Sequence, residues 1–449
     1  MLYTDLEDIL GKVRASLEMD DLTGAVAAIE SLRAPDQADL FHELEDEHQT
    51  ALLPRLDPED SADILEELED EDAARLVATL PRAAAVRILN EMEPDEAADL
   101  LGEMEPAAAH GLVDELEDPA EVRPLLLHPE DTAGGLMTSE FLALGRRMSA
   151  ADALAALRTW KPDAEDIHEV YAVDRSGRLV GMIGMRQLLM QEPAALLGDV
   201  VDPETVFVSV GADQEEAARL MSRYDLASLP VIDTQGVLVG IITVDDVIDV
   251  LEEEATEDFQ RFGGGEPLDR PYLESGILGV VRKRAGWLLL LFITETLTGS
   301  VLRHFEEEMA AVVSLAFFIP LLIGTGGNAG SQTTSTIIRA LAVEDLDKRG
   351  LWRPLFHEFA VGLVLGSLMG IVAYGRAMLW GTGQPVALTV AIAIAVIVIW
   401  ANVLGSVLPI LAQRLKIDPT VVSGPAMSTL VDATGLFIYF TIAGAILAL

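Results

Sequence analysis

Beyond residue 284 the chain turns apolar in stretches long enough to cross a bilayer, which takes about 20 residues. Five are read: 285–304, 309–338 (with no charged residue), 355–379, 385–412 and 420–449, the last interrupted by Asp432. No other feature constrains the fold as much, because backbone polar groups in hydrocarbon must be satisfied within the protein. The 449 residues carry a formal net charge of -44 beside a mean hydropathy of +0.33, a pairing that one uniform domain does not give. Division after Tyr272 separates the two properties. Residues 1–272 hold 19 Lys+Arg against 63 Asp+Glu, and residues 273–449 hold 11 of each. The acidity therefore belongs to one region and the hydrophobicity to another.

Basic residues in the loops set the expected orientation. Arg282, Lys283 and Arg284 precede the first span, Lys348, Arg349 and Arg353 follow the second, and Arg414 and Lys416 follow the fourth. With five spans all three clusters fall on one side, so the N-terminal region is expected in the cytoplasm and the C-terminus outside. The second span can alternatively be drawn as two half-helices. The start, Met1-Leu-Tyr-Thr-Asp, has no basic or apolar run and predicts no cleaved signal peptide. Cysteine is absent, which removes disulfides and thiolate metal sites. The acidic region repels phosphate, so nucleic acid is excluded as a partner.

Two spans are more polar than lipid requires. The second reads Pro320-Leu-Leu-Ile-Gly-Thr-Gly326-Gly327-Asn328-Ala-Gly330-Ser-Gln332, and Asn328, Gln332 and Ser335 share a helical face. Pro320 is expected to interrupt helical hydrogen bonding and free a carbonyl one turn earlier. The fifth span places Ser428, Thr429 and Gly435 beside Asp432. A carboxylate in mid-membrane is expensive unless solvated, paired or cation-bound, and no basic residue lies inside another span, since Arg376 sits near an end. Small residues that only pack helices, and a paired Asp432, are the bland alternatives. The ligands on offer are carboxylate, amide, hydroxyl and backbone oxygens, which favour a hard cation; one carboxylate per subunit suits a hydrated Mg²⁺. Ligand type alone leaves Na⁺, K⁺ and H⁺ open.

The acidic region contains two repeats. Leu44, Leu56, Leu68, Leu80, Met92, Met104 and Leu116 recur every twelve residues, each followed by an acid or Pro and then a helix start. Such units stack into an α-superhelix. Val170–Ile183 matches Leu229–Ile242 at a period of 59, each copy reading as two strands joined by an Asp/Gly turn (Asp174, Gly177; Asp233, Gly236) and followed by a helix. This pairing resembles tandem CBS domains over about 136–255, which commonly bind adenine nucleotides or cations. In nucleotide-binding members a Ser/Thr and an Asp three residues later hold the ribose. The second repeat offers Thr243 and Asp246, whereas the first has Gly184 and Gln187. From 244 to 258, Asp246, Asp249, Glu253 and Glu257 crowd one helical face with almost no basic residue nearby. An exposed acidic helix and a divalent-bridged one are both consistent with that pattern.

The order of superhelix, CBS pair, acidic connecting helix and five spans resembles the MgtE family of magnesium channels or transporters. So do His128-Pro-Glu-Asp-Thr-Ala-Gly-Gly-Leu-Met137-Thr, Pro320…Gln332 and Asp418-Pro-Thr-Val-Val-Ser-Gly-Pro425…Asp432. The resemblance implies a multidomain membrane protein: an all-α superhelical domain (1–132), α/β tandem CBS domains (133–242), an acidic connecting, or plug, helix (243–272) and a five-helix transmembrane domain (273–449). It implies a homodimer in the cell (inner) membrane, and no enzyme. Its pore would follow the dimer axis, with Gly326, Gly327, Asn328, Gln332, Ser428 and Thr429 lining it and Asp432 holding Mg²⁺. By position it implies regulatory Mg²⁺ sites at Asp63, Asp95, Asp99, Glu215, Asp225, Asp246, Asp249, Glu254, Glu257, Asp258 and Asp418. Cytosolic Mg²⁺ bound there would close the pore. Co²⁺ or Mn²⁺ are further candidate ions. ATP-binding members carry an acid where this chain has Gln187, so nucleotide binding at Thr243 and Asp246 is not carried over. A cation- or nucleotide-sensing membrane receptor without transport is the alternative.

Overall fold

The computed structural model describes residues 3–160, 169–268, 270, 272–273, 275–343 and 352–448, with backbone only at 3–5 and 343. Lys348 and Arg349, two of the orienting basic residues, lie outside the described residues. The chain divides into two compact units, Met1–Glu252 and Glu253–Leu449.

In the first unit the twelve-residue repeat becomes a stack of short helices, including Asp46–Leu52, Pro58–Glu66, Asp70–Thr79, Arg82–Leu89, Pro94–Gly102 and Pro106–Val113. Leu44, Leu56, Leu80, Met92 and Leu116 are buried between successive helices, which is why the period is strict. Acids stand at the N-caps (Glu45, Asp57, Glu69, Glu93, Glu105), where the helix dipole favours negative charge, and Pro fills the first turn of three helices in this run.

The second repeat forms two three-stranded sheets, β1(Ala143–Gly145)–β2(Glu169–Val173)–β3(Leu179–Gly184) and β4(Val208–Ser209)–β5(Ser228–Ile232)–β6(Leu238–Thr243). The hairpins β2–β3 and β5–β6 are antiparallel as the pattern predicts, while β1 and β4, too short to show periodicity, add in parallel. Each hairpin turn is held by an Asp that accepts backbone N–H bonds: Asp174 from Ser176 and Arg178, Asp233 from Gln235 and Val237. Gly177 and Gly236 supply the φ of +79 both turns need. Buried Ser228 joins the sheets, donating to Glu169 at 2.6 Å and bonding the Tyr171 hydroxyl.

Among its described residues the second unit contains five helices long and apolar enough to cross a membrane: Ile277–His304, Val313–Ala342, Trp352–Leu379, Gln384–Arg414 and Gly424–Leu447. The first breaks at Glu295 into Ile277–Thr294 and Thr296–His304, and Ile277–Thr294 buries no residue. The second is a 3-10 segment, Val313–Phe318, running into one continuous α-helix, Ile319–Val343, so no break into half-helices falls within its glycine-rich stretch. Pro320 also stands in its first turn, not its interior, where the missing N–H would be unpaired anyway. The third and fourth helices meet along a small-residue seam. A methyl group built on Gly366 would stand 2.6 Å from the Ala395 carbonyl oxygen, on Gly370 2.8 Å from that of Ala391, and on Gly362 3.1 Å from Ile399 Cα. Glycines four residues apart thus bring the two backbones together.

Candidate functional site

Asp432 lies eight residues into the fifth membrane helix. Ser423 caps that helix by accepting from the Ala426 N–H, and it also accepts a 3.2 Å bond from Trp287 Nε1. Asp432 is half-buried, and its Oδ1 is buried without a hydrogen-bond partner. Among the described residues the charge that reaches it electrostatically is another acid, Glu295, at the break in the first span. The paired reading of Asp432 thus finds no basic partner.

On the second membrane helix Asn328, Gln332 and Ser335 are exposed on one face, as the spacing predicts. Gly326 and Gly327 are turned elsewhere. A side chain on Gly326 would strike Ile397 and Val431, and one on Gly327 would strike Ser428, so both glycines sit in helix seams. Close packing accounts for them, and in this arrangement they bring the polar face of the second helix beside the fifth. Ser428 is half-buried against Gly327, and Thr429 donates 3.1 Å to the Pro425 carbonyl. Sequence reasoning missed a buried membrane acid, Glu358 on the third helix, which is 9% exposed. The available signal was a lone acid near the start of a largely apolar stretch.

Just before the fifth membrane helix, Asp418 caps the turn Pro419–Val421 and accepts a 2.8 Å bond from Arg261. Arg261 also pairs with Glu257. Asp418 and Glu257, expected as metal ligands, therefore share a guanidinium here. Asp258 is held above the usual carboxylate range by burial and by Asp418 and Glu254, against a lowering pull from Arg339.

In the first unit the acids of the helix Pro94–Gly102 crowd those that open the connecting helix Val244–Phe262. Asp95 is 5% exposed with Oδ1 unpartnered, and burial, Asp246 and Glu93 push its carboxyl well above the ordinary range. Burial and then neighbouring acids push Glu96 up to about 10 and Asp99 to about 8. Asp246 rises to about 6 through burial, although Thr243 donates to it from Oγ1 at 2.5 Å and from its N–H at 3.3 Å. Burial lifts Asp249 with help from Glu252 and Asp245, and it lifts Glu67 with help from Asp249. Asp63 feels mainly burial, Asp60 and Glu59 on its own helix, so Glu67 is the superhelix acid that meets Asp249. Glu96 and Glu67 escaped the sequence reading because their facing partners are distant in the chain.

Glu215 and Asp225 are not brought together. They stand at opposite ends of the helix Gln214–Tyr224, about 15 Å apart at 1.5 Å per residue, and both are exposed. Among the described residues no three acidic or histidine side chains converge closely enough to hold one metal ion. The structure thus gathers acids without closing them around an ion. Thr243 and Asp246 are bonded to each other, so a ribose there would draw on a carboxylate that the acid cluster also uses. In the first repeat Gln187, with Arg186, Met190, Gln191, Val200 and Asp202, lines a cavity of about 340 Å³.

Residues 319–442 match the profile of the MgtE family, described as a divalent cation transporter, residues 32–131 the MgtE intracellular N domain, and residues 133–192 and 197–253 the CBS domain. The chain is 44% identical over 325 residues to the magnesium transporter MgtE of Thermus thermophilus, covering 72% of each protein. It is 34% identical over 324 residues to that of Bacillus subtilis, covering 72% of this chain and 71% of the relative. Among solved structures, the cytosolic domain of the Mg²⁺ channel MgtE in complex with ATP superposes with a TM-score of 0.51 at 38% identity. It covers 54% of this chain and 99% of that one.

Proposed function

Because the chain belongs to the MgtE family of divalent cation transporters, we propose that it imports Mg²⁺ across the cell membrane as a homodimer and that cytosolic Mg²⁺ closes it. The observation that carries the reading is the unpartnered, buried oxygen of Asp432 on a membrane helix packed beside the exposed Asn328–Gln332–Ser335 face. Isolated carboxylate oxygen in a dry site is costly, and a hydrated Mg²⁺ satisfies it through its waters without being stripped. In this reading Asp432 comes once from each subunit, Asn328, Gln332, Ser428 and Thr429 supply neutral oxygens along the path, and Gly326 and Gly327 set the helix spacing. The acidic region faces the cytoplasm and the C-terminus lies outside.

Closure follows from the acid cluster. Asp95, Asp99, Asp246 and Asp249 repel one another when bare, so divalent ions that bind a compact arrangement shift the population toward it. Glu254, Glu257, Asp258 and Asp418 are the acids of the membrane unit that would complete closure, after Arg261 gives up its place. Glu215 and Asp225 would each act with acids from elsewhere. The ATP complex of a relative's cytosolic domain makes an adenine nucleotide the second ligand to assay, with Thr243 and Asp246 as its nearest matching groups.

Mg²⁺ flux into liposomes, with internal Mg²⁺ varied, tests both parts. Asp432→Ala should abolish selective flux. Asp246→Ala with Asp249→Ala should leave flux that internal Mg²⁺ no longer suppresses. Unchanged flux in the first variant removes Asp432 from the pathway, and normal suppression in the second removes the cluster from gating. A chain that binds Mg²⁺ and carries none would instead be a receptor.

A further inference from the structure

The first membrane span turns almost all of its side chains outward. Its segment Ile277–Thr294 buries no residue, and Thr296–His304 buries only Thr298, which is 5% exposed. The buried position thus holds a polar side chain, and its Oγ1 has no hydrogen-bond partner. The other hydroxyls of that stretch behave differently. Thr294, Thr296 and Ser300 each turn back to a carbonyl of the preceding turn, donating to Leu291, Ile293 and Thr296. Ser and Thr in helices commonly settle in this way, so the idle hydroxyl of Thr298 asks for another partner.

Two contacts fix how the first span lies on the fifth. Near one end Trp287 Nε1 donates to Ser423 at 3.2 Å, and near the other the Phe305 ring meets those of Phe437 and Phe440 at 5.8 and 5.2 Å. The two segments therefore run parallel, 287–305 beside 423–440. At 1.5 Å per residue Thr298 stands about 16 Å past Trp287, and Asp432 about 14 Å past Ser423. Counted back from the aromatic contact, Thr298 is about 10 Å short of Phe305, and Asp432 about 8 to 12 Å short of Phe437 and Phe440. Both counts put the idle hydroxyl level with the unpartnered Oδ1 of Asp432. Glu295, Thr298 and Phe305 follow one another at helical spacing, so they share the face that Phe305 presses on the fifth helix. Glu295 lies one turn from Thr298 toward Trp287, and its charge reaches Asp432. One level of two packed helices thus brings together two carboxylates and a hydroxyl. A hydrated Mg²⁺ suits such a wall, because it keeps its waters, offers their protons to several acceptors and is commonly held through one or two carboxylates. A plain bridging water would satisfy the two idle oxygens without responding to the charge of Glu295.

We propose that Glu295 and Thr298 of the first span join Asp432 at one station of the ion path, where they hold the water shell of Mg²⁺ and favour it over monovalent ions; the assignment rests on the transport reading. The full chain in liposomes tests it, with Mg²⁺ uptake followed against external Mg²⁺ in the presence and absence of excess K⁺. Glu295→Gln should raise the half-saturating Mg²⁺ about tenfold, with a smaller effect on maximal flux, and should let K⁺ compete. Glu295→Asp, which keeps the charge, should restore discrimination against K⁺. Thr298→Val should raise the half-saturating Mg²⁺ about threefold, and Thr298→Ser should stay near the wild type. Asp432→Asn combined with Thr298→Asp returns a carboxylate to the same level and should recover part of the flux that Asp432→Asn loses, an outcome that misfolding does not imitate. Wild-type liposomes that carry no Mg²⁺ sink the transport reading and this station with it. Selective wild-type flux, with Glu295→Gln or Thr298→Val equal to it in both half-saturation and K⁺ competition, overturns the station alone and leaves an ordinary water between Thr298 and Asp432.

Discussion

The two units treat carboxylates in opposite ways. In the first, acids are numerous, basic partners are scarce, and burial forces Asp95, Glu96, Asp99 and Asp246 together until their protons are held far above the usual range. In the second, each acid has its own circumstances: Asp418 has Arg261, Glu358 has a hydroxyl and an amide, and Asp432 has one oxygen with nothing at all. A crowd of like charges makes a collective, graded response to a soluble cation. A lone acid in a membrane helix is a single point of charge, and in the proposed reading the ion is handled there. The difference teaches that a net charge of -44 describes neither unit's chemistry, because the decisive quantity is how far each acid is from its nearest compensation.

That contrast breaks most directly when charge is removed without change of volume. Asp432→Asn deletes the acid assigned to the proposed pathway and should lower Mg²⁺ flux about a hundredfold, the equivalent of about 3 kcal/mol for a mid-membrane charge. Asp246→Asn deletes one acid among many. It should leave flux at low internal Mg²⁺ nearly unchanged and raise the concentration that half-suppresses it by roughly threefold to tenfold, a coupling of about 1 kcal/mol. Flux in liposomes at graded internal Mg²⁺ reads both. Equal effects of the two substitutions would erase the distinction between point and crowd.

The next effect concerns the glycine seam between the third and fourth membrane helices. Gly366→Ala places a methyl group 2.6 Å from the Ala395 carbonyl oxygen, and backbone cannot yield as a side chain does. The cost should be about 1–3 kcal/mol, a fall in the unfolding midpoint of several degrees in detergent. Gly375→Ala, on the same helix with nothing within 4 Å, is the control and should be neutral.

This seam also shows what the sequence leaves unsaid. The twelve-residue spacing of Leu44 to Leu116 is local, since each residue packs against the next turn of the same stack, and the CBS hairpins announce themselves through Asp174, Gly177, Asp233 and Gly236. Five apolar runs show their number by length alone. Asp432 stands out because it is a charge where none is tolerated. Other features depend on which helix meets which, and nothing in one strand of sequence states that. Gly362, Gly366 and Gly370 look like ordinary small residues until Ala391 and Ala395 lie against them. Glu358 looks like an acid at a helix end until Asn402 covers it, and Arg261 looks like a stray base until Asp418 accepts from it. Glu96 likewise becomes a member of the cluster only through Asp246, about 150 residues away.

The crowded unit carries a smaller, pH-dependent signature. Glu96 and Asp99 have ordinary values of 4.5 and 3.8 when exposed and about 10 and about 8 in the fold, so between those limits the folded chain binds more protons than the unfolded one. Stability therefore falls as pH rises through this window and is greatest below it. In EDTA the unfolding midpoint of the acidic unit within the full chain should drop by a few degrees between about pH 6 and about pH 9, and saturating Mg²⁺ should flatten the dependence by replacing the lost protons. Asp95→Asn should raise the midpoint in EDTA by about 1 kcal/mol equivalent and shrink the Mg²⁺ increment. A midpoint that rises with pH would mean the acids are compensated in the fold.

The smallest effect tests whether compensation in the membrane unit is structural or provisional. Arg261 reaches both Glu257 and Asp418, but its side chain is 40% exposed and that of Asp418 33%, so the pair is worth no more than about 1 kcal/mol. Arg261→Gln should lower the midpoint by a degree or two at low salt and by nothing measurable at high salt, where screening already removes the pair. Its larger consequence is ionic. With the guanidinium gone, Glu257, Asp258 and Asp418 become a small crowd of the first unit's kind, and Mg²⁺ should suppress flux at a lower concentration than in the wild type. Suppression shifted to higher Mg²⁺ would show instead that the Arg261–Asp418 bond is itself part of the closed state.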